Sequence, residues 1–189
     1  MDVYELDCRA LNELLSLVET LTDADLDRPT PCAGWNVRDL LVHMNSEHEA
    51  ISAGLLGATA TLDSDPRNGF AQAVSRWCEA FKGCSEGQLV YIPKFDSASP
   101  VGLLLRLHFA DMLVHRWDLT KALGIAPELP ADLVAVALPI AAAVPEDGPL
   151  RGLKGYAKPV SVPVESTPED QLVAAFGRSP SWSGQSEDV

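Results

Sequence analysis

The chain has 189 residues and a formal net charge of −13, with 47% hydrophobic and 22% charged residues. Its length fits a single domain of roughly 100–200 residues, and its composition is that of a folded globular protein rather than a disordered chain. The acidic balance argues against nucleic acids and anionic membrane surfaces as partners, because both are bound through clustered cations.

The sequence also indicates where the protein works. No apolar stretch approaches the roughly 18–20 residues that span a bilayer. The first residues, Met1 to Asp7, are acidic where a signal peptide would be basic. These features predict a cytoplasmic protein. The four cysteines are scattered without a C-x-x-C pair, which predicts reduced thiols and no structural zinc knuckle.

Apolar spacing and capping residues predict three helices in the first half of the chain. The first helix covers residues 4–22, and its apolar positions recur every three or four residues. Residues 28–34 contain two prolines and are not helical. The second helix is predicted over 36–57 with an asparagine N-cap, and the third over 65–83, where an aspartate is followed by proline.

The second half of the chain is predicted to be helical as well. Ser99-Pro100 repeats the cap-and-proline signature and opens a helix over 101–123. Residues 88–92 fit a short strand or an extended connection equally well. An alanine- and valine-rich helix follows Pro130, and Pro139 is expected to kink or end it.

The end of the chain combines loops with a small helix. Residues 150–164 are predicted to be loop or short extended pieces, and Thr167-Pro168 opens a last helix that stops at Gly177. We expect one helical-bundle domain over 1–182 and a disordered polar tail over 183–189.

Histidines and carboxylates at helical spacing are the strongest chemical signal. His108, Asp111 and His115 fall on roughly one face of the fourth helix, and Asp111 and His115 stand one turn apart. A carboxylate and an imidazole at this spacing can bind one divalent cation together. His43, in an apolar stretch of the second helix, is the candidate third ligand.

The roles of the neighbouring residues and an interpretation without a metal stay open. Glu47 lies one turn from His43 and is a candidate fourth ligand, second-sphere acceptor or general base, while His48 points away from that face. Alternatively, Asp111 and His115 are a buried hydrogen-bonded pair without a metal. Cys32, between prolines and a glycine, is interpreted as a structural thiol.

Three segments resemble one known family. The sequence PTPCAGWNVRDLLVH (29–43) resembles the motif that carries the first metal histidine in mycothiol-dependent maleylpyruvate isomerase-like proteins of the DinB/YfiT superfamily. The sequence HFADMLVHRWDL (108–119) is similar to their second signature, an acidic residue and a histidine one turn apart before Trp-Asp-Leu. Residues 168–182 resemble the close of the short actinobacterial members.

The resemblance implies an all-α, DinB-like up-down-down-up four-helix bundle with a divalent metal, zinc or nickel, held by His43, Asp111 and His115. It also implies mycothiol or another low-molecular-weight thiol as cofactor, and a homodimer is compatible with it. Two departures stand out: Asp111 occupies a position that is Glu in the isomerase, and 189 residues leave no room for the isomerase's additional C-terminal domain.

Three functions are compatible with these residues. The first is a metal-dependent isomerase or thiol transferase acting on a small molecule, in which Glu47 or His108 moves protons. The second is an enzyme of specialised metabolism, such as a cyclase or isomerase, which binds an apolar substrate in the bundle without a thiol. The third is a metal-binding or stress-response module without catalysis.

Overall fold

The computed structural model describes residues 1–148, 151 and 156–184. These residues form six α-helices and one two-stranded antiparallel sheet. The helices are α1 (Val3–Val18), α2 (Val37–Leu56), α3 (Pro66–Phe81), α4 (Val101–Leu123), α5 (Ala131–Ala142) and α6 (Pro168–Ala175). The strands are β1 (Leu89–Ile92) and β2 (Ser97–Pro100). The predicted predominantly helical fold class is therefore confirmed.

Local capping chemistry explains where most helices begin. Asp65 and Thr167 cap α3 and α6 as predicted, each side chain accepting a hydrogen bond from a backbone N–H of the first turn, and each is followed by proline. The first helix also has a capping box, formed by Asp2 and Glu5. It ends at Val18, earlier than predicted, and a 3₁₀ turn follows at Asp23–Asp27.

The predicted range of α4, residues 101–123, agrees with the structure, but the capping signature at Ser99-Pro100 does not have the predicted role. Pro100 does not lie in the first helical turn, because it closes β2 and stands opposite Leu89 in the sheet. The helix begins one residue later, at Val101. The segment left open between strand and extended connection is β1, and its partner β2 was not predicted.

Pro139 lies inside α5 without ending it, since the helix continues to Ala142. Of the predicted loop at 150–164, residues 156–163 form no regular structure. Residues 149, 150 and 152–155 of the chain, and residues 185–189 of the predicted tail, lie outside the described residues.

The chain divides into two compact units. The first contains Met1–Leu21 and Arg38–Phe109, and the second contains Thr22–Val37 and Ala110–Val189. In the first unit α1 packs against α3, burying Leu11, Leu14 and Phe70 completely. In the second unit α5 packs against α6, with Leu133, Ala137 and Leu172 among the buried side chains. Full burial of each large apolar side chain contributes about 1.5–3 kcal/mol.

No helix among the described residues is long and apolar enough to cross a membrane.

Candidate metal centre

The predicted pair on α4 lies in the second unit and is brought together as its spacing implies. His115 Nε2 stands 3.5 Å from Asp111 Oδ2. His115 is buried, whereas the Asp111 side chain retains 14% exposure. Two donor atoms bound to one tetrahedral zinc ion at about 2.0–2.2 Å lie about 3.3–3.6 Å apart. The separation of this pair therefore fits a shared cation.

The other ring nitrogen of His115 is held by Asp118, which lies one turn further along α4. His115 Nδ1 lies 3.0 Å from Asp118 Oδ2, and both side chains are buried. Because a carboxylate accepts, Nδ1 carries the proton and donates it. Metal-binding histidines commonly donate their second ring N–H to a carboxylate in this way, which fixes the ring orientation. Asp118 therefore presents Nε2 of His115 towards Asp111.

A buried arginine balances the charge of Asp118. Arg178 Nε and Nη2 donate to the two oxygens of Asp118 over 3.2 and 2.8 Å, and Arg178 also donates to the carbonyl of Phe176. The backbone brings Arg178 to this position because Gly177, just after α6, has a φ of +82°. A Cβ on Gly177 would stand 2.5 Å from that of Ala157, so glycine is required both for the turn and for the close approach.

Cys32 completes this cluster from a proline-rich loop. Its carbonyl accepts from the N–H of Trp35 across a turn in which Gly34 has a φ of +77°. Its thiol donates to Asp118 Oδ2 over 3.2 Å, and Arg178 Nη2 lies 3.0 Å from the sulfur. Burial and the negative charge of Asp118 raise the pKa of the Cys32 thiol, so it stays protonated at neutral pH.

The charges of the cluster reinforce one another. Burial opposes a charge on His115, but attraction to Asp111 and hydrogen bonds to Asp111 and Asp118 raise its pKa well above 6.5. Burial likewise opposes a charge on Asp118, yet Arg178 and His115 hold its pKa well below the usual range. Burial and the nearby charge of Asp111, to which it is hydrogen-bonded, raise the pKa of Tyr156 well above 10.0. Without a metal, a proton on His115 therefore satisfies two carboxylates.

Two donor sets around His115 could hold a cation. One is Asp111 with His115 Nε2. The other consists of Cys32, His115 and Asp118, whose donor atoms lie within 4.8 Å of one another. The second set is disfavoured because the permanent charge of Arg178 already neutralises it and because a metal needs Cys32 as a thiolate. The donor chemistry favours Asp111 and His115.

The predicted residues on α2 belong to the first unit. His43 is half-buried. Glu47 is paired with Lys94, with 3.2 Å between Oε1 and Nζ, and 39% of its side chain is exposed. The metal-ligand role of His43 and the proton-transfer role of Glu47 stay predictions.

His108, also in the first unit, belongs to a buried network. Its Nδ1 lies 2.6 Å from Asp7 Oδ1, and its Nε2 lies 2.8 Å from Nε2 of His48. Its ring stacks on Trp77, whose indole N–H donates to Asp7 Oδ2 over 2.7 Å. Asp7 interrupts the apolar stripe of α1, and its two hydrogen bonds satisfy the buried carboxylate.

Three residues of the site, Asp118, Arg178 and Tyr156, were not predicted from the sequence. Asp118 stands three residues after His115, so the helical spacing that indicated Asp111 could have indicated it as a second carboxylate for the same ring. Arg178 lies 60 residues from Asp118 and 146 from Cys32, and no local pattern links them.

Comparison with known proteins supports the resemblance. Residues 9–90 match the family model described as the mycothiol maleylpyruvate isomerase N-terminal domain. Two uncharacterized proteins of Mycobacterium tuberculosis, from strains CDC 1551 / Oshkosh and ATCC 25618 / H37Rv, are 28% identical over 177 residues, covering 90% of this chain and 94% of theirs.

Solved structures extend the comparison to the fold. The crystal structure of the mycothiol-dependent maleylpyruvate isomerase matches with a TM-score of 0.57 at 17% identity, covering 75% of this chain and 67% of that one. A mutant of the same enzyme, with one histidine replaced by alanine, matches with the same TM-score and coverage at 15% identity. The chain thus shares the helical fold of this isomerase, and its residues 9–90 are similar to the mycothiol maleylpyruvate isomerase N-terminal domain.

Proposed function

We propose that this protein is a metal-dependent enzyme that acts on a small molecule, with a low-molecular-weight thiol as its cofactor, as an isomerase or a thiol transferase. The observation that carries the proposal is the position of His115 between two carboxylates. Asp118 binds its Nδ1, and Asp111 lies 3.5 Å from its Nε2. The relatives whose names mention mycothiol and maleylpyruvate supply the substrate class.

Asp111 and His115 are the proposed ligands in the second unit, and the resemblance adds His43 as the third. Zinc and nickel are the expected ions because imidazole and carboxylate suit both. When bound, such an ion would lower the pKa of a coordinated thiol or water, so that the thiolate or hydroxide forms near neutral pH. Asp118 keeps the imidazole of His115 in one orientation, and Arg178 keeps Asp118 ionised.

Glu47 and His108 are the proposed proton-transfer groups. Asp7 holds the proton on Nδ1 of His108, so proton exchange takes place at Nε2, where His48 is the hydrogen-bonding neighbour. Glu47 has a more exposed carboxylate and a lysine partner. It can accept a proton from a substrate only if that substrate displaces Lys94 or reaches the carboxylate while the ion pair stays in place.

Metal analysis of the purified chain tests the ligand assignment. We expect about one zinc or nickel ion per chain, retained by a Cys32→Ser variant. Asp111→Asn should lose the ion, and Asp118→Asn should weaken its binding about 10–100-fold, as for other residues that orient a metal-binding histidine. If Asp111→Asn retains the ion while Cys32→Ser loses it, Cys32, His115 and Asp118 are the ligands instead.

An activity assay tests the thiol requirement. The metal-loaded protein is incubated with maleylpyruvate, with and without mycothiol, and consumption is followed by its absorbance. Turnover that needs both the metal and the thiol supports the proposal. Turnover of another, apolar substrate without a thiol would favour the specialised-metabolism alternative. A folded His115→Ala variant with an unchanged cellular phenotype would favour a non-catalytic module.

A further inference from the structure

Two cysteines in the first unit face each other across packed helices. Cys8 lies on α1 and Cys78 on α3, and their sulfur atoms are 3.1 Å apart. Both residues are half-buried. A disulfide requires a sulfur–sulfur distance of about 2.05 Å. The two sulfur atoms therefore need to approach by about 1 Å to form a disulfide between α1 and α3.

The two thiols differ in their surroundings and in acidity. Cys8 lines a shallow, open depression along α1, together with Tyr4, Arg9 and Asn12. Cys78 is not among the lining residues of this depression, and its carbonyl accepts the Tyr4 hydroxyl. A hydrogen bond from Cys78 lowers the pKa of Cys8, and the same contact, together with burial, raises the pKa of Cys78. Cys8 is thus the more acidic thiol and the one that lines this depression.

We propose that Cys8 and Cys78 form a thiol–disulfide exchange site whose co-reactant is a low-molecular-weight disulfide. The thiolate of Cys8 attacks one sulfur of the disulfide, whose S–S bond breaks, and the first thiolate leaves and takes up a proton. Cys78 then loses its proton to solvent and attacks Sγ of Cys8, which releases the second small thiolate. Overall, two protein thiols are oxidised to one disulfide, and the small disulfide is reduced to two thiols.

The neighbouring residues connect this site to a buried network. Asp7 and Trp77 are adjacent in sequence to Cys8 and Cys78, and their side chains form a hydrogen bond on the same two helices. His108 is bonded to Asp7 and stacks on Trp77. Oxidation of the cysteine pair is therefore expected to change the environment of Trp77. The site does not involve the proposed metal ligands, so the two proposals stand or fall separately.

Incubation of the full chain with oxidised glutathione tests this proposal. After quenching with an alkylating agent, intact mass and peptide mapping locate the modified cysteines. The wild-type chain, which has four cysteines, should lose two thiols and gain a Cys8–Cys78 disulfide without retained glutathione. A Cys78→Ser variant should retain glutathione on Cys8. A Cys8→Ser variant should lose thiols at about one-tenth of the wild-type rate or less, since the fraction of thiolate sets the rate of attack.

Cys84 provides the matched control, because it is also half-buried and lies just beyond α3. Cys84→Ser should behave like the wild type.

The oxidised wild type should also melt at a higher temperature than the reduced form, because the disulfide closes a loop between residues 70 positions apart. Retention of glutathione on wild-type Cys8, modification mainly at Cys84, or an equal rate in Cys8→Ser would each overturn the proposal. Circular dichroism checks folding, and Cys8→Ala and Cys78→Ala replace any serine variant that fails to fold.

Discussion

Asp118 is wholly buried in the second unit and is hydrogen-bonded to His115, Cys32 and Arg178. We expect Asp118→Asn to lower the free energy of unfolding by about 3–5 kcal/mol, since it leaves the buried guanidinium of Arg178 without a counter-charge. Urea denaturation measures this loss. The control is Asp147→Asn, which breaks an exposed pair with Lys158. It should change stability by less than about 1 kcal/mol, and an equal effect in both variants would contradict the expectation.

The same residue predicts a pH dependence of stability. Because the pKa of Asp118 is lower in the folded state than in the unfolded chain, its contribution is present above the unfolded value of about 3.9. That contribution is lost as the pH falls through the folded pKa. In chelator-treated protein, the stability gap between the wild type and Asp118→Asn should be largest above about pH 4 and shrink below it. A gap that widens on acidification would show that Asp118 is not held ionised.

Part of this site could be predicted from the sequence alone. Asp111 and His115 share a helix, and helical spacing brings residues four apart onto one face. Arg178 reaches Asp118 only because Gly177 turns the backbone after α6, and Cys32 is fixed by a turn in another loop. These contacts depend on tertiary structure, so no local pattern could have predicted them.

At the scale of elements, local rules predicted the helices better than the hairpin. Asp65-Pro66 and Thr167-Pro168 cap helices because their chemistry is complete within one turn. Ser99-Pro100 carries the same signal but is drawn into β2, whose pairing with β1 outweighs the capping preference. The hairpin was missed because its connection places Asp96, not a glycine, at a φ of +46°. It therefore lacks the usual glycine signal.

Pro139 offers a prediction for α5. This exposed proline removes one backbone hydrogen bond inside a helix that continues past it to Ala142. We expect Pro139→Ala to raise the free energy of unfolding by about 1–2 kcal/mol. This gain is smaller than the cost of about 3 kcal/mol that a proline has in a helix interior. The alanine variant has more conformational freedom when unfolded, and any local relaxation of α5 around Pro139 already lowers the cost of the proline.

Pro168 is the matched control for this substitution. It occupies the first position of α6, where the missing N–H would have no helical partner. Pro168→Ala should therefore give no gain and a loss of up to about 1 kcal/mol. Paired urea titrations of the two variants measure the difference. A gain at Pro168 equal to that at Pro139 would show that helix position does not decide the effect.

At the scale of the whole molecule, the net charge of −13 complicates any test for a specific metal. A divalent cation that merely screens acidic surface groups also relieves self-repulsion and stabilises the fold. A specific site differs because its effect depends on particular ligands and on the ion. A binding ion at about 100 times its dissociation constant adds about 2.7 kcal/mol, which for a chain of this size is a rise in melting temperature of about 5–10 °C.

We therefore expect zinc or nickel to raise the melting temperature of chelator-treated protein by about 5–10 °C, whereas magnesium at the same concentration raises it by much less. Asp111→Asn changes the formal net charge only from −13 to −12, so the screening contribution should survive while the zinc-specific shift disappears. Cys32→Ser leaves both Asp111 and His115 in place and should keep the shift. Equal shifts with zinc and magnesium, or a zinc shift unaffected by Asp111→Asn, would assign the stabilisation to the acidic surface or to a different donor set. Differential scanning calorimetry across the three proteins separates these outcomes, because each one predicts a different pattern of ion and variant dependence.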